Sequence, residues 1–165
     1  MHTNVRSVID AEHAAFMESG VSISVAACNP DRLPSQVRAT GCRVAADRTR
    51  VTVFVSATQA SALLADVRSN GVIAVVFSKP TTHRTVQIKG TDAQVTGLID
   101  GDLQCVDRYR IDFATEVAPL GFGGPLIRTL LACPAADIVA LRFTPSEAYS
   151  QTPGPRAGEP LKAAT

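Results

Sequence analysis

Apolar residues recur at every second position in residues 21–27, where Val21, Ile23 and Val25 alternate with Ser22, Ser24 and Ala26. That period predicts a strand with one face in a core, and the small side chains of the other face suit close approach by something flat. Residues 50–56 repeat the pattern, with Val51, Val53 and Val55 facing in and Thr52, Phe54 and Ser56 facing out. VIAVVFS, residues 72–78, is apolar nearly throughout, which predicts a strand covered on both faces. Between these strands the spacing lengthens to that of a helix through Ala60, Leu63, Leu64 and Val67, with Ser56 or Thr58 as N-cap and Gly71 as terminator. An amphipathic helix is also predicted over 5–19, on Val5, Val8, Ile9 and Phe16. Another spans 102–117, with Leu103, Val106, Tyr109, Phe113 and Val117 inward. GFGGP then breaks the chain ahead of a short helix, LIRTLLA.

The remaining segments read as turns and extended chain. CNPDRLP at 28–34 is a turn, after which Val37, Ala39 and Gly41 share one side and Gln36, Arg38, Thr40 and Cys42 the other. After His83 the apolar positions are Val86 and Ile88, but past Gly90 they become Ala93 and Val95. This slip of one residue predicts a β-bulge at the glycine. Residues 137–145 are the last predicted strand. The Pro/Gly-rich end is either a flexible terminus or an arm reaching a second subunit, so residues 1–150 are expected to form one domain and 151–165 a tail. About six strands joined mostly by tight turns, with helices flanking them, predict a mainly β (α+β) fold built on a small antiparallel barrel.

Composition narrows the classes. A chain of 165 residues buries roughly 70% of its unfolded surface, enough for one core. With 45% hydrophobic and 19% charged residues and a net charge of +1, it lacks the basic excess of a nucleic-acid binder, and aromatics are only 5%. The cysteines, Cys28, Cys42, Cys105 and Cys133, form no CxxC pair and read as reduced, buried thiols, so no metal site is expected. No stretch approaches the roughly 20 apolar residues of a membrane span, and a cytoplasmic location is the expectation.

The chemistry concentrates in PTTHRTVQIKG, residues 80–90, which sets His83, Arg84, Gln87 and Lys89 on a predicted strand. Such donors either meet an anionic ligand or merely face water. No GxGxxG follows a strand, no GxxxxGK[ST] occurs, and GFGG follows a helix. No triad, metal cluster or carboxylate pair proposes a catalytic residue.

The order of these pieces resembles the pyridoxamine 5′-phosphate oxidase-like, FMN-binding split-barrel family. The resemblance rests on PSQVRATG, on RVTVFVS ahead of the QASALLADVRSNG helix, on VIAVVF, and on RTVQIKG. It implies a six-stranded antiparallel split barrel, a homodimer, and FMN in a groove between subunits. Its phosphate would be held by basic and hydroxyl side chains. Matched by position, Arg38, Ser56, Ser61, Arg84 and Thr85 become candidates for the phosphate, and His83, Gln87 and Lys89 for the rest of the cofactor. Two departures stand out. Ser61 is followed by Ala62 and Leu63 rather than an Arg-Lys pair, and the chain has no tryptophan near its end. Strict pyridoxamine-phosphate oxidation is therefore not expected. The resemblance implies a flavin-dependent oxidoreductase of unspecified small-molecule substrate. The alternative is a non-enzymatic dimer binding a flavin, the deazaflavin F420, or haem with His83 on the iron.

Overall fold

A computed structural model describes residues 7–161. In chain order it contains α1 (Ala11–Glu18), β1 (Ser22–Cys28), β2 (Pro34–Arg38), β3 (Cys42–Val44), β4 (Val51–Ser56) and α2 (Ser61–Asn70). These are followed by β5 (Ile73–Ser78), β6 (Thr85–Gly90), β7 (Gln94–Thr96), α3 (Asp102–Val117), α4 (Gly124–Leu130), β8 (Ile138–Phe143) and β9 (Glu147–Ser150). The strands form two antiparallel sheets, one ordered β2-β1-β5-β6-β9 and the other β3-β4-β8-β7.

Among the described residues nine strands replace the expected six, chiefly because two segments that read as single strands change sheets. The backbone N–H of Ala39 still donates to Ile23 O in the first sheet (2.9 Å), while that of Thr40 donates to Phe54 O in the second (2.8 Å). The crossing passes through Gly41, whose φ of 148° and contact with the Phe54 ring favour glycine. The slip after Gly90 is a second crossing rather than a bulge: β6 ends there and β7 joins the other sheet. An added Cβ at Gly90 would lie 2.6 Å from the Phe143 ring, so only glycine lets the two sheets approach at this corner. The third unexpected strand, β9, pairs with β6.

The inward faces are those the alternation indicates. Ile23, Val25, Val75, Phe77, Val86 and Ile88 of the first sheet share one core with Val51, Val53, Val55, Leu141 and Phe143 of the second. Leu63, Leu64 and Val67 of α2 close this core from the inner side of the first sheet, and Gly71 ends α2 at φ 70° as expected.

The outer faces differ from expectation. Thr52, Phe54 and Ser56 do point away from the core, yet every residue of β4 is buried, and Phe54 packs with Val106 of α3 and with Ile138 and Ala140. On α3 itself Leu103 is 40% exposed and its neighbour Asp102 is buried instead. Arg43 Nε (3.0 Å) and the Ile99 N–H (2.9 Å) both donate to the Asp102 carboxylate, which makes its burial tolerable. Strand β5 is covered on one face only: Ala74, Val76 and Ser78 remain partly exposed. The opening helix starts at Ala11, capped by Asp10, which accepts the His13 N–H. Val5 lies outside the described residues.

Beyond β9 the chain returns along it. Leu161 N–H donates to Ala148 O and Ser150 N–H to Glu159 O, while Gln151 N–H donates to Thr85 O. Residues 151–161 thus lie against their own sheet.

Candidate functional site

The register of the five-stranded sheet sorts the predicted residues. Arg38 stands opposite Ser24, Ser24 opposite Val76, Val76 opposite Gln87, and Gln87 opposite Tyr149. One row away, Gln36, Ala26, Ala74, Lys89 and Glu147 line up, and a third row holds Ser22, Ser78 and Thr85. Directly paired residues share a face, so Arg38, Thr85, Gln87 and Lys89 look outward together across a platform of serine, alanine and valine. Arg38 and Gln87 are about 14 Å apart at the usual strand spacing. No residue of the β1, β5 or β6 rows on this face is fully buried.

Most of the polar groups on the platform have one light partner. Arg38 Nη1 donates to Ser22 Oγ (3.1 Å), and its guanidinium lies 5.5 Å from the Phe113 ring. Ser78 and Thr85 hydroxyls bond each other (2.8 Å), and Gln87 Oε1 accepts from Gln151 Nε2 (3.3 Å). Lys89 sits 4.9 Å over the Tyr149 ring and 3.9 Å from the Glu147 carboxylate.

At the Arg38 edge the sheet crossing opens a recess of about 210 Å³, lined by Arg38, Thr40, Ser56, Gln59 and the link from Leu130 to Cys133. Thr40 is 6% exposed, and its hydroxyl has no hydrogen-bond partner among the described residues. The Tyr109 hydroxyl is likewise buried without a partner within hydrogen-bond geometry among the described residues, and burial raises its pKa, opposed by nearby Arg38. Of the residues lining this recess, the sequence pattern points to Arg38 and Ser56 but not to Thr40 or Gln59. Nor does it point to Asp137, whose carboxylate accepts from the Ser56 hydroxyl, the Thr58 hydroxyl (2.7 Å) and the Thr58 N–H (3.0 Å). These bonds, Ser56's foremost, hold the Asp137 carboxyl below its ordinary pKa. Neither Ser56 nor Thr58 is the N-cap of α2: Ser56 Oγ accepts the Gln59 N–H (3.2 Å) one turn earlier, and Ala60 occupies the cap position without a side-chain bond.

The other predicted residues lie elsewhere. Arg84 is ion-paired with Glu12 (2.9 Å) and stacked 4.5 Å from the Phe16 ring. With Thr85, His13 and Arg156 it lines a cleft of about 750 Å³ between the start of β6 and the returning tail. His83 is an exposed turn residue at φ 60°, and Ser61 is exposed on the first turn of α2. Among the described residues no group of three His, Cys, Asp or Glu side chains could hold a metal ion, and no helix is long and apolar enough to cross a membrane.

The two-sheet arrangement is similar in fold to solved structures that include a pyridoxamine 5′-phosphate oxidase-like protein. Among solved structures, a protein named F420 reductase is 16% identical with a TM-score of 0.56, over 85% of this chain and 98% of its own. HupZ from Group A Streptococcus is 13% identical (TM-score 0.55, 91% and 99% coverage). A Lactobacillus delbrueckii protein provisionally named as a pyridoxamine 5′-phosphate oxidase is 12% identical (TM-score 0.51, 90% and 97% coverage). At these identities the likeness is one of fold. No protein-family model and no curated protein matches the sequence.

Proposed function

We propose that the protein binds a flavin-type cofactor on the open face of its five-stranded sheet, between two copies of the chain, and serves as an oxidoreductase for a small molecule. The observation that carries this reading is the register that gathers Arg38, Thr85, Gln87 and Lys89 around a platform of small residues. A planar ring system can lie flat only where side chains are short, and Ser24, Ala26, Ala74 and Val76 are short. The residues of this face are partly exposed, so the sheet does not enclose a ring by itself, which is why a second copy is part of the proposal.

The unpaired Thr40 hydroxyl supplies the test of fit: a buried donor without a partner suits a ligand oxygen reaching into the recess. Arg38, which spends one N–H on Ser22, has further donors for the same oxygen. Gln87 keeps its amide hydrogens for a ring edge, since its oxygen already accepts from Gln151. When bound, a flavin supplies hydride or electron chemistry, and the protein supplies orientation and exclusion of water. FMN is the flavin that the sequence resemblance implies.

Titrating the purified chain with FMN, F420 and haem, alongside sedimentation, tests the proposal. The expected result is a dimer that quenches flavin fluorescence at one flavin per chain. A dimer that takes only haem, with a Soret band, would move the function to the non-enzymatic alternative. A monomer indifferent to all three ligands sinks both.

A further inference from the structure

Ser56 and Ser61 look from sequence like donors for a ligand phosphate, yet in the folded chain Ser61 is exposed on α2 and the Ser56 hydroxyl already has an acceptor. The Asp137 carboxylate takes the Ser56 hydroxyl through Oδ2 and both Thr58 donors through Oδ1. Cys133, which lines the recess with Ser56, also donates to Oδ2 (3.6 Å). Asp137 does not itself line the recess, but its negative charge is bonded to two residues that do, Ser56 and Cys133. Also lining the recess are donors this charge does not consume, namely Arg38, the Thr40 hydroxyl, which has no partner among the described residues, and the side chain of the exposed Gln59.

We infer that Asp137 is a specificity-determining residue, an internal anion that fills the helix-entry donors and makes the recess select a flavin whose end group is uncharged or a singly charged phosphodiester, over the phosphomonoester of FMN. The inference rests on the flavin reading above and narrows its ligand. A phosphomonoester carries close to two negative charges at neutral pH and is best held by several charge-assisted donors. Here Arg38 is, among the described residues, the one guanidinium that lines the recess, while the Asp137 carboxylate is bonded to the lining residues Ser56 and Cys133. The neighbouring Arg110, which donates to Cys133 O, is itself paired with Asp107. The Asp137 carboxyl remains ionised in neutral solution, because the Ser56 and Thr58 bonds favour its charged form. A ribityl chain or a phosphodiester can use Arg38 and Thr40 without displacing it.

The test compares wild type and Asp137→Ala for binding of FMN, riboflavin and inorganic phosphate, with phosphate followed by the amide resonance of Thr58. In wild type, FMN is expected to bind no more than about threefold tighter than riboflavin. In Asp137→Ala its advantage should rise by about tenfold, the effect of one like charge removed from contact range in a largely aqueous setting. Inorganic phosphate should shift the Thr58 amide in the variant alone. Should the alanine variant fail to fold, Asp137→Asn, which keeps the shape and removes the charge, carries the same expectation for FMN. A wild-type preference for FMN of tenfold or more, or an unchanged ratio in the variants, overturns the inference. If no flavin binds either protein, the flavin reading falls, and the phosphate arm decides alone: a shift in the variant only supports the role of Asp137, whereas a shift in both or neither refutes it.

Discussion

The two sheets present outer faces of opposite character. That of β4 and β8 carries Phe54, Ile138 and Ala140 beneath Val106 of α3, and Phe54 is fully excluded from solvent. That of β1, β5 and β6 carries serines, alanines, a valine, Gln87 and Lys89, and stays partly open. Alternation is equally regular in both, so the inner faces do not distinguish them. The difference lies in outward positions: an aromatic residue calls for a covering helix, while short and hydroxylated side chains leave room for something that is not part of the chain. One outer face is therefore structural and the other available.

Four substitutions or conditions press on this contrast. Phe54→Ala removes the largest apolar group beneath α3 and should cost about 3–5 kcal/mol in urea unfolding; a loss under about 1 kcal/mol would mean that α3 covers nothing of consequence. Val76→Arg, at the centre of the open face, should change monomer stability by less than about 1 kcal/mol. It should still weaken self-association and flavin binding by about a hundredfold or more, through a desolvated charge in the interface. Unaltered sedimentation would place the second copy elsewhere. Arg38→Ala should weaken flavin binding by about tenfold, as expected for loss of a charge-assisted hydrogen bond, with little change in unfolding. The smallest effect concerns acid. The Asp137 carboxyl titrates below its ordinary range when folded, so its stabilisation is complete above the unfolded pKa and is lost as pH falls through the lower, folded one. Cys133 is the titratable neighbour, and burial keeps its thiol protonated through that range. The stability gap between wild type and Asp137→Asn should therefore be present at neutral pH and close in acid, as measured by thermal unfolding against pH.

Much of the inner architecture is readable from local periods. Val21, Ile23 and Val25, the three valines of β4, and the helix ended by Gly71 all occupy their expected places, because a two-residue or 3.6-residue repeat specifies which side faces the core. The period does not state which sheet a strand belongs to. The crossings at Ala39–Thr40 and after Gly90 keep a plausible alternation on either side, so a sheet change there looks like a continuous strand or a bulge. The candidate site divides in the same way. Arg38, Thr85, Gln87 and Lys89 fall on one face because strand parity and pairing put them there. Arg84 departs because Glu12 and Phe16, far back in sequence, hold its guanidinium. Asp137 was invisible for a similar reason: it lies 81 residues from Ser56, and nothing near it in sequence names its partners.

The returning segment at the end of the chain has a consequence for solubility. An exposed border strand invites any other extended peptide to add itself by backbone pairing, the route to strand-mediated aggregation. Here β9 is screened from that fate, since residues 158–161 already occupy its outer hydrogen bonds and Pro160, opposite Tyr149, has no N–H to offer a newcomer. At the far border β2 starts with Pro34, which withholds another donor. Sheet growth is thus discouraged at both margins, leaving the broad face rather than the rims as the place where a second molecule can settle.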